Sequence, residues 1–201
     1  MKHMPRTKFL VGIDEVGRGP FAGPVAVGAV FASPRILRKF AGVRESKQLS
    51  AAARESWHAR MRSLAKEFPD EFRFAVSFVS AATIDKIGIV PAIRRALATS
   101  LRKLNIDPSE AHVLLDGGLR APAEYADQQT IIKGDEKESV IALASIAAKV
   151  LRDRRMTKLA KKYPAYGFAR HVGYGTAFHM TALRTHGLTP FHRRSFCRNI
   201  C

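Results

Sequence analysis

The chain has 201 residues, of which 46% are hydrophobic and 25% are charged. That length allows one domain with a full hydrophobic core, and the composition is that of a folded globular protein. Lysine and arginine outnumber the acidic residues by 34 to 17, and residues 149–201 hold twelve of these cations against a single acid. A one-sided basic field of this kind is typical of a protein that binds a polyanion. A basic proteome or a solvated helix face is the alternative explanation.

Apolar runs and alternating patterns predict five strands, and amphipathic stretches with capping residues predict four helices. In chain order the predicted elements are strands at Phe9–Ile13 and Pro24–Phe31, a helix at Ala51–Lys66 capped by Ser50, a strand at Phe72–Phe78, a helix at Pro91–Leu104, strands at His112–Leu115 and Thr130–Lys133, a helix at Glu138–Lys162, and a helix from after Thr176 to near His186. Strands alternate with helices along the chain. The predicted fold class is therefore α/β.

The cysteines and the N-terminal residues indicate in which cellular compartment the protein is expected. Cys197 and Cys201 lie within the last five residues, so they exclude a disulfide framework and favour a reducing compartment. The apolar run before Asp14 is too short for a signal peptide or a membrane span. We therefore expect a cytoplasmic protein with no membrane partner.

Four acidic residues fall where a predicted strand ends or meets a helix: Asp14, Glu15, Asp116 and Asp135. In α/β sheets, catalytic groups collect at strand ends because the loops there are free to carry them. A hard cation such as Mg²⁺ takes a few carboxylates together with water and substrate phosphate. Two such ions, about 4 Å apart, can activate an attacking water and stabilise a leaving oxygen. Singly, each acid also suits a turn or a helix cap.

The first acid pair poses a geometric problem. Adjacent residues of a regular strand point to opposite faces, so Asp14 and Glu15 share a site only where the pleat breaks. Gly17 and Gly19 follow directly and favour such a break. Asp135 precedes a predicted helix, where it also suits the positive end of the helix dipole.

The basic C-terminal region contains four histidines, at His171, His179, His186 and His192. Their spacing fits no common metal site. We expect them at the surface or facing phosphates.

Six blocks of the sequence resemble, in order, those of ribonuclease HII proteins. They read Asp14-Glu15-Val16-Gly17-Arg18-Gly19-Pro20, Glu45-Ser46-Lys47-Gln48-Leu49-Ser50, Asp116-Gly117, Lys133-Gly134-Asp135 with the helix Ala144–Asp153, Gly173-Tyr174-Gly175-Thr176, and His192-Arg193-Arg194-Ser195-Phe196. No single block is decisive, but together they extend from about residue 10 to 196 and are highly specific. Val172 departs from the pattern, since the family often has a lysine there, and one phosphate contact is expected to be lost.

The resemblance implies a ribonuclease H-like fold, with a mixed central β-sheet flanked by helices and a helical C-terminal part. We expect a single catalytic domain over residues 1–201. Within it, a sheet-and-helix core covers about 10–162 and a basic helical segment covers about 163–201. We expect a monomer.

The resemblance also implies a metal-dependent endoribonuclease that uses Mg²⁺ or Mn²⁺. Its substrates would be RNA–DNA hybrids and DNA duplexes that contain ribonucleotides, cut on the 5′ side of a single ribonucleotide to leave 3′-hydroxyl and 5′-phosphate ends. Such an enzyme serves ribonucleotide removal and primer removal. The implied metal-binding catalytic residues are Asp14, Glu15, Asp116 and Asp135.

A second set of residues is predicted to bind the substrate. To distinguish RNA from DNA a protein must sense the 2′-hydroxyl, and the turn Gly17-Arg18-Gly19 offers backbone groups that no side chain shields. Arg18 would add a phosphate contact. The resemblance makes Tyr174 the tyrosine that senses the junction. Ser46 and Lys47 would hold phosphates without reading the sequence.

Two alternatives remain open at this point. One is a non-catalytic, basic nucleic-acid-binding module that has kept the fold, although such a module gains nothing from acids that face phosphates. The other is a different type of ribonuclease H. Type HIII typically lacks the Gly-Arg-Gly turn, and type HI needs a run of ribonucleotides.

Overall fold

A mixed β-sheet forms the centre of the molecule. The computed structural model describes residues 9–43, 46 and 48–198. Its five strands are β1 (Phe9–Val16), β2 (Val25–Ala32), β3 (Phe72–Val79), β4 (Ala111–Asp116) and β5 (Gln128–Ile131). They are arranged in the order β3-β2-β1-β4-β5. The β1–β2 and β2–β3 pairs are antiparallel, whereas the β1–β4 and β4–β5 pairs are parallel. The predicted α/β class and mixed sheet are confirmed.

Helices cover both faces of this sheet, which explains why every residue of β2 is buried. The helices are α1 (Pro34–Leu37), α2 (Ala51–Glu67), α3 (Ala81–Ile87), α4 (Ile89–Leu104), α5 (Gly134–Lys137), α6 (Ser139–Lys162), α7 (Phe168–His171) and α8 (Ala177–His186), with 3₁₀ turns at Arg38–Phe40, Pro108–Glu110, Pro164–Tyr166 and Arg194–Phe196. α4 packs on one face, and α2 and α6 pack on the other. No helix within the described residues is long and apolar enough to span a membrane.

Side-chain caps begin four of these helices. The hydroxyl groups of Ser33, Ser50, Ser80 and Thr176 accept hydrogen bonds from the backbone amides three residues further on. The predicted helices after Ser50 and Thr176 are confirmed. α3, after Ser80, was not predicted, although its Ser80 cap is of the same kind.

α6 approaches the sheet unusually closely at Gly28. A Cβ atom on Gly28 would lie 2.2 Å from the backbone oxygen of Ala144, so only glycine fits there. Gly28 pairs with Asp14 across the β1–β2 ladder. The close approach therefore brings Ser145, next to Ala144 on α6, alongside the first predicted catalytic residue.

Two predicted strand ends are corrected by the structure. β1 does not end at Ile13 but continues through Asp14 and Glu15, because β2 pairs with both residues. β5 ends at Ile131 and not at Lys133. Asp135 consequently lies in the short helix α5, which follows the strand.

The C-terminal part packs around buried aromatic and histidine side chains. His171, His179 and His192 are buried, so the expectation that they lie at the surface or face phosphates is wrong. His192 Nδ1 accepts from the Thr189 amide at 2.9 Å, and its Nε2 lies 3.0 Å from His179 Nε2. Burial lowers the pKa of His179, and it lowers the pKa of His192 to about 4. His179 and His192 are therefore neutral packing residues at pH 7 and add nothing to the positive field.

Candidate active site

A cavity of about 310 Å³ opens where β1 and β4 stop pairing. The parallel ladder between them ends at Ile13 and Leu115, one residue before Asp14 and Asp116. From there on, β1 has a strand partner on one side only, and both chain ends border the opening. Asp14, Glu15 and Asp116 line the cavity.

Asp14 and Glu15 share the cavity without the predicted break in the pleat. Both residues are paired with β2, so the strand is regular at this point. Since β4 no longer covers β1 beyond Ile13, side chains from both sides of the strand reach the opening. The Glu15 amide donates a hydrogen bond to Asp14 Oδ1 at 2.7 Å, which helps to orient the Asp14 carboxyl.

Asp14 occupies an environment that disfavours its charge. Burial raises the pKa of Asp14 to about 8, and the neighbouring charges of Asp116, Glu15 and Asp135 act in the same direction. A hydrogen bond with Ser145 opposes the shift. At neutral pH, and without a cation nearby, the Asp14 carboxyl therefore keeps its proton.

The negative charge of Glu15 is stabilised by Arg18, which lies in the glycine turn that follows it. Burial raises the pKa of Glu15, and the hydrogen bond and charge of Arg18 oppose that rise. Arg18 Nη1 lies 3.3 Å from Glu15 Oε1, and the arginine side chain is 55% exposed. Because one end of this pair reaches solvent, Arg18 is free to exchange Glu15 for another anion.

Asp116 and Asp135 are placed differently. Asp116 Oδ1 accepts a hydrogen bond from the Gly134 amide at 2.7 Å, which ties the end of β4 to the start of α5. Asp135, the next residue, is buried and does not line the cavity. Its charge nevertheless lies close enough to raise the pKa of Asp14. The structure thus brings three of the four predicted carboxylates to the cavity and sets Asp135 beside them.

The predicted substrate-binding residues also meet at this cavity. Gly17, Arg18, Gly19, Ser46 and Tyr174 line it, whereas Lys47 lies outside the described residues. Ser46 is buried, and its Oγ lies 2.8 Å from Ser145 Oγ. Tyr174 is 46% exposed, so its ring is available to a ligand.

Two further lining residues, Ser145 and Lys149, were not assigned to the site from the sequence. They lie four residues apart and therefore on one face of α6. Ser145 bridges Ser46 and Asp14, and Lys149 Nζ forms an ion pair with Asp153 at 2.9 Å. The sequence did contain one signal that could have assigned them to the site. Ser145 is the lone polar residue in the otherwise apolar run Ala142–Ala148, and it lies one helical turn before a lysine.

The cavity's chemistry suits a hard divalent cation. Its carboxylate oxygens are the donors that Mg²⁺ and Mn²⁺ prefer, and a cation would relieve the repulsion that raises the pKa of Asp14. Within residues 9–43, 46 and 48–198, no three His, Cys, Asp or Glu side chains converge closely enough to enclose an ion. The donors are thus grouped around the cavity but not closed into a coordination shell.

A larger cavity of about 470 Å³ lies beyond Gly23 and Pro24. Its lining is mainly apolar, with Arg155, Lys158 and Lys162 from the exposed face of α6, and the described residues around it include no carboxylate. It therefore offers no donors for a cation. The smaller cavity is the candidate active site because the acidic residues, the glycine turn and Tyr174 meet there.

The mixed sheet with its flanking helices, and the carboxylates at its strand ends, match the ribonuclease H-like class of proteins. Residues 11–199 match the family model for ribonuclease HII. Curated ribonuclease HII proteins of Halalkalibacterium halodurans and Geobacillus thermodenitrificans are 42% identical over 187 residues and 45% identical over 190 residues. Each match covers 93% of this chain, and 66% and 68% of those proteins. The chain belongs to the ribonuclease HII family, whose members cleave the RNA of RNA–DNA hybrids.

Solved structures agree on the fold. The ribonuclease H2 of Pyrococcus horikoshii superposes with a TM-score of 0.70 at 25% identity, over 96% of each chain. A ribonuclease HIII crystallised with Mn²⁺ superposes with a TM-score of 0.63 at 20% identity, over 90% of this chain and 63% of that one. This chain spans about two thirds of the length of the curated relatives named above.

Proposed function

We propose that this chain is a metal-dependent endoribonuclease that hydrolyses the RNA strand of RNA–DNA hybrids and cuts duplex DNA on the 5′ side of a single ribonucleotide. One observation carries the proposal: three carboxylates, the Gly17–Gly19 turn and Tyr174 line the same cavity. Groups suited to phosphodiester chemistry and groups suited to recognising a sugar thus lie within reach of one nucleotide.

The proposed reaction is hydrolysis by water. A bond forms between the water oxygen and phosphorus, and the bond between phosphorus and the preceding O3′ breaks. The leaving O3′ takes up a proton, which gives a 3′-hydroxyl end and leaves the 5′-phosphate on the ribonucleotide. Because the cut is on the 5′ side, the 2′-hydroxyl of that ribonucleotide is recognised and does not attack.

Asp14, Glu15, Asp116 and Asp135 are the residues that would hold divalent ions, Mg²⁺ or Mn²⁺. When bound, such ions supply positive charge that activates water and stabilises the leaving oxygen. The Mn²⁺ complex of the ribonuclease HIII neighbour supports this choice of ion. Among this chain's own groups, Ser145 orients the Asp14 carboxyl and the Gly134 amide orients Asp116.

Recognition of the substrate is assigned to a second group of residues. The Gly17–Gly19 turn would read the 2′-hydroxyl, and the exposed ring of Tyr174 would lie against a sugar at the junction. Arg18, Ser46 and Lys47 would contact phosphates, within the field of a chain that carries a net charge of +17. We further propose that the protein acts as a monomer in the cytoplasm.

A panel of four labelled duplexes tests the proposal: all DNA, one ribonucleotide, four consecutive ribonucleotides, and a complete RNA–DNA hybrid. We expect cleavage of the last three and none of the all-DNA duplex, because only a 2′-hydroxyl completes recognition. Cleavage restricted to four or more ribonucleotides would contradict the type assignment. Binding of all four without cleavage would instead support a non-catalytic module.

A further inference from the structure

The inner side of the Gly17–Gly19 turn is held by a buried guanidinium group. Arg193 has no exposed surface, and its Nη2 donates to the Gly17 oxygen at 2.6 Å. Its Nη1 donates to the Arg18 oxygen at 2.8 Å, and its Nε donates to the Gly23 oxygen at 3.1 Å. One side chain from the C-terminal part thus binds two carbonyl groups of the turn and a third carbonyl group, of Gly23, shortly after it.

A second buried arginine supports the same turn from α6. Arg152 Nε donates to the Pro24 oxygen at 2.9 Å, and Nη2 donates to the Ala22 oxygen at 3.3 Å. Gly17 has a φ of 86°, and a Cβ atom there would lie 2.1 Å from Arg152 Nε. The turn therefore rests directly on this guanidinium group, which explains the need for glycine.

These contacts have a directional consequence. Guanidinium groups only donate hydrogen bonds, so they bind the turn through its carbonyl oxygens. The carbonyls of Gly17 and Arg18 consequently face the protein interior, while the turn's other side lines the cavity. Hydrogen bonds from a charged donor are about twice as strong as neutral ones. The orientation of the turn is therefore set before any ligand arrives.

We propose that Arg193 is a positioning residue for ribonucleotide recognition, because its fork holds the Gly17–Gly19 turn in the orientation that meets the 2′-hydroxyl. This inference rests on the proposed function, in which the turn reads that hydroxyl. Lysine cannot replace arginine here, since one ammonium group cannot reach three carbonyls that are arranged around a planar fork.

A contact near Arg193 supplies a control variant, which distinguishes positioning of the Gly17–Gly19 turn from general support of the C-terminal part. Asp85, on α3, accepts hydrogen bonds from the amides of Arg194 at 2.8 Å and Ser195 at 3.0 Å. Asp85 also accepts from Ser195 Oγ at 2.5 Å, so it anchors the 3₁₀ turn Arg194–Phe196, and none of these three hydrogen bonds involves Gly17–Gly19. The charge of Asp85 also acts on Arg193, so a control must leave that carboxylate in place. Ser195→Ala is thus a matched control that removes one of these hydrogen bonds without changing a charge or touching the glycine turn. Arg194→Lys is a second control, at an exposed arginine.

The first measurement is steady-state cleavage of the duplex with one ribonucleotide. For Arg193→Lys we expect kcat to fall about 10- to 100-fold, because small misplacements of a recognition group have effects of that size. KM should stay within about threefold, because phosphate contacts elsewhere are kept. Ser195→Ala and Arg194→Lys should keep kcat near the wild-type value. An equal loss of kcat in Ser195→Ala would overturn the proposal.

The second measurement needs no activity. The amides of Phe21 and Ala22 donate to the Gly173 oxygen, and the Gly23 amide donates to the Phe191 oxygen. We expect Arg193→Lys to speed hydrogen exchange of these three amides about tenfold or more and to leave β1 protected. Unchanged exchange would overturn the positioning role. If the wild-type protein cleaves no ribonucleotide substrate, the proposed function fails, while this measurement still decides whether Arg193 holds the turn.

Loss of protection throughout β1 would mean that Arg193→Lys does not fold. Arg193→Gln then takes its place in both measurements, because its amide still donates to one carbonyl group. A wild-type kcat together with wild-type exchange in Arg193→Gln would overturn the proposal. Faster exchange at Phe21–Gly23 with a lowered kcat would support it.

Discussion

Replacing Asp116 with Asn is expected to abolish cleavage of a duplex with one ribonucleotide while leaving the affinity for that duplex intact. Asn keeps the shape of the side chain and an oxygen that accepts from the Gly134 amide at 2.7 Å, so the end of β4 stays in place. What disappears is one negative charge at the cavity. Since a bound cation contributes several kcal/mol to catalysis, we expect a loss of about 1,000-fold or more in rate.

The rate is measured by single-turnover cleavage, and the affinity is measured with the same duplex in EDTA. The dissociation constant should stay within about threefold or decrease, because a carboxylate near the phosphates is removed. Asp127→Asn is the matched control. It removes the same charge from an exposed residue, 57% accessible, that pairs with His112 away from the cavity. Near-normal turnover by Asp116→Asn would exclude Asp116 from catalysis.

Replacing Asp14 with Asn is expected to stabilise the protein in the absence of metal. The folded state raises the pKa of Asp14 from 3.8 to about 8. Between these values the unfolded chain releases a proton that the folded protein retains, so the free energy of unfolding falls as the pH rises from about 4 to about 8. Asn does not ionise and escapes this loss. We expect a gain of about 2 to 4 kcal/mol at pH 8.

Denaturant unfolding in EDTA at pH 5 and pH 8 measures this effect, and melting with Mg²⁺ or Mn²⁺ measures the response to metal. The difference between variant and wild type should be small at pH 5 and large at pH 8. Added metal should raise the melting temperature of the wild type, because a ligand that binds only the folded state stabilises it. That response should shrink in Asp14→Asn and persist in Asp127→Asn. A variant less stable than the wild type at both pH values would refute the account.

Local signals in the sequence predicted much of the fold. Ser50 and Thr176 predict where their helices begin, because a hydroxyl cap depends only on neighbouring residues. The apolar periods of α4 and α6 predicted both helices to within two residues at each end. These features are predictable because the interactions that produce them lie within a few residues of one another.

The ends of the strands were harder to predict, because they depend on which residues of a neighbouring strand pair with them. Asp14 and Glu15 continue β1 because β2 extends beyond them, and nothing within the run Phe9–Ile13 records this. The site could still be predicted because acids, glycines and Tyr174 each carry a chemical signature. For Ser145 and Lys149 the only signal was a polar residue in an apolar run, one helical turn before a lysine, because their roles depend on how closely α6 packs against the sheet.

The burial of two arginine side chains is the main feature of the fold that the sequence did not predict. Arg152 and Arg193 contribute to the basic composition of the C-terminal part, and composition alone places them in a field that faces solvent. In the folded protein both are fully buried and bind backbone carbonyls of residues 17–24. The sequence cannot predict this because the acceptors are main-chain oxygens, which every residue carries.

The most direct test of the proposed function is the cleavage of an end-labelled duplex with one ribonucleotide, in Mg²⁺, in Mn²⁺ and in EDTA, with the product ends mapped. We expect one cut, on the 5′ side of the ribonucleotide, that leaves a 3′-hydroxyl and a 5′-phosphate and needs metal. Cleavage in EDTA, a cut on the 3′ side, or binding without any cut in either metal would contradict it.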